Sequence, residues 1–435
     1  MIIGFSIKNF LSFKETQIFQ MTAAPIREKF ESFNQNKFNY NGKIQFLKSA
    51  VLYGANASGK TNFIKALSFF KNFILTSANL NPEMKIPQIP FFLNIKTRTE
   101  PSEFEIVFLC CGLIYRYGFI ISRETVIEEW LYQKDKRETM VFRRNSKGIN
   151  IPRKYTILNE LRTKNMIRPN ALLLSIAAQF NDKSSIEILQ WFSNNLNIIS
   201  GLTDELYSLF SINLLDDSKS KDIIISLIKT ADPGIEDLKV IEKEGENILF
   251  TLRAPTNQIP EIKKGKAVIK ELNSVKHVIN DSGEFETIVE FPFELFESEG
   301  TKKFFHLLGP VMDTLRYGKI LVIDELDTKL HPLITRQIVK LFNNNKTNPN
   351  NAQLIFATHD IQLLDAKIFR RDQIWFTEKQ DDGSTRLYSL LDFKKGKTPR
   401  NDEKISKNYA YGKYGAVPYT GDIDILFEDY INYNK

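Results

Sequence analysis

The sequence predicts an α/β protein, and three observations predict it. A strand-like run over residues 46–53 leads through a glycine-containing loop into a helical pattern over residues 62–74. Alternating apolar segments at residues 104–109 and 114–121, separated by Cys-Cys-Gly, read as an antiparallel hairpin continued at 126–132 and 139–142. The last third of the chain alternates strand and helix again, with two short apolar runs that each end in polar residues.

The other elements follow in order. A strand is expected over residues 2–7, followed by Asn9-Phe10-Leu11-Ser12-Phe13. From about residue 154 to 230 the pattern turns helical: Ile186, Leu189, Phe192 and Leu196 recur at near-helical spacing, and a helix over 221–230 is stopped by Asp232-Pro233-Gly234. Short strands return between 235 and 293. The expected division is residues 1–150 and 236–435 as two parts of one α/β unit, with 151–235 as a mainly helical insertion. Neither an internal repeat nor a sustained heptad is visible, which argues against a long coiled-coil arm.

Composition narrows the class. The chain has 435 residues, 42% hydrophobic and 26% charged, which excludes a disordered or fibrous protein. The longest apolar run, residues 171–178, is far shorter than a bilayer span. Residues 1–7 lack the basic start of a signal peptide, and Cys110 and Cys111 are adjacent, a poor arrangement for a disulfide or a zinc site. A cytoplasmic protein is expected. The net charge of +7 is unevenly spread: Lys134 to Arg168 holds eleven basic residues against three acids, and Asp392 to Lys413 seven against three. Such clusters are either solvated surface or footprints for phosphate backbones.

Gly54-Ala55-Asn56-Ala57-Ser58-Gly59-Lys60-Thr61-Asn62 fits G-x-x-x-x-G-K-[ST] between a strand and a helix. Backbone N–H groups of such a loop point at phosphate oxygens. Lys60 is expected to reach the β/γ-phosphates and Thr61 to ligate Mg²⁺. Downstream, an apolar run ends in Asp324-Glu325. A buried parallel strand would deliver Asp324 to Mg²⁺, leaving Glu325 to polarise the attacking water. The run 353–358 repeats this design and ends in His359, placed to hydrogen-bond a γ-phosphate. His277 and His306 lack such a setting, and no ligand spacing joins His331, His359 and Asp360 into a metal site.

Together the loop, the Asp324-Glu325 pair and His359 resemble the ABC-type ATPases that include SMC, RecF and OLD proteins. Three phrases further resemble the RloA/AbiL-type ATPases of abortive infection: Asn9 to Phe13, Arg168-Pro169-Asn170-Ala171-Leu172-Leu173-Leu174-Ser175, and Tyr411-Gly412-Lys413-Tyr414-Gly415-Ala416-Val417-Pro418. The resemblance implies an ABC-type head with an antiparallel β lobe, in which a serine-glycine signature from a second subunit completes the site. Glu297-Ser298-Glu299-Gly300-Thr301 matches that position, so Ser298 and Gly300 are expected to form the second half of the nucleotide cradle. His331 stands where the ABC pattern usually has Asp. Gln88 is the candidate for the lid glutamine.

The expected function is a regulatory ATPase using ATP and Mg²⁺. The resemblance implies a homodimer or higher homo-oligomer and a separately encoded nuclease effector in anti-phage defence. Two alternatives remain open: a RecF-like clamp that binds nucleic acid through the basic clusters, and an enzyme that cuts nucleic acid through an unrecognised site. Asp422-Ile423-Asp424 reads as part of a solvated acidic tail.

Overall fold

The computed structural model describes residues 1–28, 30–42, 44–200, 207–245, 261–263, 266–365, 367–393, 403–418, 427–428 and 430–431. Its centre is a six-stranded sheet in the order Leu196–Ser200, Ile320–Asp324, Gln353–Ala357, Ser49–Tyr53, Ile374–Lys379, Thr385–Ser389. The first five strands are parallel and the last is antiparallel. Parallel strands need both faces covered, and here alternate residues supply two cores. Ala50, Leu52, Ile320, Val322, Ile355 and Ala357 face one core; Val51, Tyr53, Leu321, Ile323, Leu354 and Phe356 face the other.

The first core lies between this sheet and a seven-stranded antiparallel lobe. Its order runs from Gly148–Asn150 through Glu138–Asn145, Val126–Lys134, Leu113–Ile121, Ser102–Cys110 and Ile2–Lys8 to Gln17–Gln20. The helix Lys60–Thr76 is packed into this core by Phe63, Phe70 and Phe73. Phe70 stacks on Phe119 at 4.9 Å and meets Phe5 edge-on at 5.6 Å. Gln353 fastens lobe to sheet: its amide donates to the carbonyls of Ile2 (3.0 Å) and Leu47 (3.1 Å) and accepts from Ile2 N (2.7 Å). The second core is covered by the helices Ser218–Ala231, Glu299–Tyr317 and Pro332–Asn343.

The expected boundaries 151–235 do not coincide with a break in the fold. Leu196–Ser200, inside that span, joins the edge of the central sheet beside Ile320–Asp324. Its five residues sit between two helical stretches, and the apolar period of the preceding helix runs straight into it. The helices Thr156–Thr163, Leu173–Gln179 and Lys183–Asn195 share the lobe's core through Leu158, Leu174 and Phe192. The strands expected between 235 and 293 form a meander of Asp237–Gly245, Lys266–Ile279 and Phe285–Pro292, with Glu261–Lys263 also paired to the long central strand. No described helix is long and apolar enough to cross a membrane.

Candidate nucleotide site

The loop from Gly54 to Gly59 leaves the central sheet at the carboxyl end of Ser49–Tyr53, the edge where ligands meet open α/β sheets. Two hydroxyls from the neighbouring hairpin hold its shape. Thr377 Oγ1 lies 2.6 Å from Ser58 Oγ, and Thr385 Oγ1 donates to the Ser58 carbonyl at 2.8 Å. A Cβ on Gly54 would overlap Thr377, and one on Gly59 would overlap Thr385. Gly59 also sits at φ 115°, so both glycines are required by close approach, the second by conformation as well.

Lys60 is nearly buried and donates to the carbonyls of Gly54 (2.8 Å) and Ala55 (3.2 Å). Burial pulls its pKa below the usual lysine value, opposed by the charges of Asp324, Glu325 and Asp327. Thr61 faces the Asp324 carboxylate and works against the rise in its pKa. Asp324 Oδ1 is buried with no hydrogen-bond partner among the described residues. Burial raises the Asp324 pKa, and the neighbouring Glu325 adds to the rise. An orphaned carboxylate oxygen beside a threonine hydroxyl is the hard-oxygen donor set that Mg²⁺ takes, so the residues fit the expected metal.

Glu325 follows directly and adopts φ 54°, a left-handed conformation uncommon for glutamate. Lys303 Nζ donates to its carbonyl at 3.2 Å and Thr328 Oγ1 to its carboxylate at 3.1 Å. His359 leaves the end of the next strand, Gln353–Ala357; its backbone N–H donates to Asp327 Oδ2 at 3.1 Å. Burial and the charge of Lys60 lower the His359 pKa, while Asp327, Glu325 and Asp324 oppose them. The imidazole is therefore held mainly neutral at pH 7.

Lys60, Thr61, Asp324, Glu325 and His359 thus share one sheet edge. Asn62 turns back, donating to Ser12 Oγ at 2.8 Å, and Ser12 Oγ lies 2.7 Å from Thr385 Oγ1, which can accept its proton. Ser298 caps the helix Glu299–Tyr317, accepting from Thr301 N at 3.1 Å. A Cβ on Gly300 would come 2.8 Å from the Lys329 carbonyl. Among the described residues, neither hydrogen-bonds the loop of its own chain.

Gln88 is not at this edge. It is buried in the lobe, and its amide donates to the Glu100 carbonyl (3.1 Å) and Ser102 Oγ (2.9 Å). Asp422 and Asp424 lie outside the described residues. The Lys134–Arg168 cluster loses members to the interior of the fold. Arg144 donates to the carbonyls of Ala171, Arg168 and Pro169, and Arg168 to those of Leu80 and Ala78. Sequence reasoning missed Ser12, Asp327, Thr377 and Thr385 as parts of the site. Asp327 had a signal, a third acid just beyond Asp324-Glu325; the threonines are single hydroxyls far away in the chain and carry none.

A strand–loop–helix cradle at the carboxyl edge of this sheet, with an antiparallel lobe packed on the helix that follows the loop, is the arrangement of a P-loop nucleotide-binding unit. The chain belongs to the family described as "AAA domain, putative AbiEii toxin, Type IV TA system", which matches residues 49–365, well over half its length. Among solved structures, the SMC head domain from Thermotoga maritima is similar at 12% identity and a TM-score of 0.39, covering 89% of this chain and 98% of that one. No curated protein matches the chain.

Proposed function

We propose that this protein is a regulatory ATPase in which two copies enclose two nucleotides and thereby control a separately encoded effector, a nuclease, in bacterial defence. The observation that carries the nucleotide reading is Asp324: beside Thr61, its Oδ1 is buried and has no hydrogen-bond partner among the described residues. Buried polar groups without partners are costly, and a bound nucleotide with its cation removes that cost. The family description, which names an AbiEii toxin and a type IV toxin–antitoxin system, supports the defence setting and leaves the RloA/AbiL-type assignment as our proposal.

Each residue has a task in this reading. The backbone N–H groups of 54–60 and the ammonium of Lys60 would hold the phosphates, and Thr61 and Asp324 would hold Mg²⁺, whose charge would offset that of the phosphates. Glu325 accepts a proton from the attacking water. His359, neutral at its Nε2 or Nδ1, hydrogen-bonds the transferred phosphoryl group or that water. Ser298 and the Gly300 N–H, at the start of a 19-residue helix, approach the nucleotide of the second copy, where the helix terminus favours an anion.

Mixing two inactive variants tests this reading. A Lys60→Ala chain keeps its signature, and a Ser298→Arg chain keeps its phosphate loop, so the mixture contains one intact composite site per heterodimer. ATP turnover above the sum of the separate proteins is expected; turnover at or below that sum refutes trans completion by independently firing sites. For the effector, growth arrest should require both this gene and its neighbour, and should vanish with Lys60→Ala. Arrest caused by this chain alone would overturn the partner.

A further inference from the structure

Two exposed apolar patches flank the two halves of the proposed composite site. The first is Phe92, Leu93 and Ile95, in the loop that follows the helix Lys60–Thr76; Leu93 and Ile95 are 68% and 85% exposed. The loop borders the nucleotide edge. Leu93 packs so closely on Gly383 that a Cβ there would overlap it. Gly383 lies in the turn just before Thr385, which donates to Ser58 of the phosphate loop. The patch is held in place: Thr97 Oγ1 donates to the Phe91 carbonyl at 2.7 Å, Arg98 Nε to the Phe92 carbonyl at 2.6 Å, and Asn94 Oδ1 accepts from Lys96 N at 3.0 Å.

The second patch is Leu295 and Phe296, 79% and 58% exposed, immediately before Ser298. It too sits on a fixed support. Phe293 is fully buried and packs on Phe305 with ring centroids 5.2 Å apart. Phe296 rests on Phe291 at 4.8 Å. On the other side, the Glu297 carboxylate is buried and bound by Ser274 and Lys276. The chain therefore anchors Phe293 and Glu297 inward and presents the two apolar side chains between them to solvent.

Single exposed apolar residues are ordinary, but two rigid clusters at the two halves of one site are not explained by the isolated chain. We infer that Leu295 and Phe296 of one copy close over Leu93 and Ile95 of a second copy, forming an apolar clasp beside each nucleotide. The inference rests on the trans reading of Ser298 and Gly300: bringing that signature to the other copy's phosphate loop carries Leu295 and Phe296 to the loop's rim, where Leu93 stands. A two-fold axis repeats the contact, so every copy gives one patch and receives the other. Several rim charges are already matched within each chain. Lys14 pairs with Asp382 at 2.8 Å, and Glu299 pairs with Lys302 at 3.0 Å and Lys329 at 2.8 Å.

The test uses full-length protein carrying Glu325→Gln, to slow hydrolysis, and Cys111→Ser, to remove the exposed thiol. One preparation adds Leu93→Cys and another adds Leu295→Cys. With ATP, Mg²⁺ and a short bismaleimide, the mixture should yield covalent dimers at least tenfold above either preparation alone, and Lys60→Ala in both should abolish them. In parallel, Phe296→Asp should weaken ATP-dependent association at least tenfold while the monomer binds nucleotide normally, which also shows that it is folded. ATP-driven dimers that form without the 93–295 cross-link and tolerate Phe296→Asp would overturn the clasp and leave the sandwich standing. Nucleotide binding with no ATP-driven dimer would overturn the sandwich and the clasp with it.

Discussion

Glu129 and Asp324 are both carboxylates tucked into a strand of a well-packed sheet, and the protein treats them oppositely. Glu129, in the antiparallel lobe, accepts from Tyr117 OH (2.9 Å), Leu174 N (3.0 Å) and Leu173 N (2.6 Å). It satisfies the start of the helix Leu173–Gln179, whose N–H groups have no helical partner of their own. Asp324, at the proposed nucleotide edge, keeps one oxygen without a partner among the described residues, as do Asp327 and Asp360 nearby. Glu129 is saturated within the fold; the carboxylates at the proposed nucleotide edge keep unused capacity, whose cost a bound ligand would remove.

The same contrast explains the three family-like phrases. Asn170 donates to the Asn81 and Met84 carbonyls, Ser175 to Ile74 O, and Arg168 to Ala78 and Leu80. These bonds clamp the far end of the phosphate-loop helix. In the C-terminal phrase, Tyr388 OH donates to the Tyr414 carbonyl and Tyr409 OH to that of Ala416, closing the chain over Phe376. Only the N-terminal phrase reaches the site, through Ser12.

Substitutions can break this comparison. Glu325→Gln should leave nucleotide affinity nearly unchanged and slow hydrolysis by about 10²–10⁴-fold, the usual worth of a general base; phosphate release and equilibrium binding together check it. Glu129→Ala should cost about 3 kcal/mol of stability by orphaning buried donors, read as a fall in the urea midpoint. Lys60→Ala should weaken ATP binding by about 30-fold or more through loss of charge-assisted bonds. Asp324→Asn should do the reverse of Glu129→Ala. It removes a charge whose burial is uncompensated, so the ligand-free protein should gain about 1 kcal/mol while Mg²⁺-dependent turnover is lost. A loss of stability like that of Glu129→Ala would erase the distinction.

The smallest effect is on pH dependence. The folded-state pKa of His359 is depressed below 6.5, so the unfolded chain binds more protons between that value and 6.5. Its contribution to stability is present above pH 6.5 and is lost as pH falls through the folded pKa. Urea unfolding from pH 7.5 to 5 should show a shallower decline in His359→Gln than in the parent.

The convergence of the loop from Gly54 to Thr61, the Asp324-Glu325 strand end and His359 at one sheet edge was legible because each candidate stands where an apolar strand runs into polar groups. What periodicity could not show was pairing between distant segments. Leu196–Ser200 reads as the tail of a helix until it is seen beside Ile320–Asp324, and Arg144 and Arg168 read as surface charge until their carbonyl partners are in place. Gln88 was placed by its position before Phe91-Phe92, which says nothing of which way its amide turns. Exposed basic residues such as Lys136, Arg137, Arg153 and Lys154 keep the phosphate-footprint reading testable without disturbing the interior.

In the proposed sandwich, ATP joins two copies through half-sites that each chain carries separately. Light scattering of Glu325→Gln protein, with and without ATP and Mg²⁺, measures it directly. With nucleotide the mass should double, or rise to a higher even multiple, and it should stay unchanged when Ser298→Arg is added. Saturating nucleotide binding with no change in mass would contradict it.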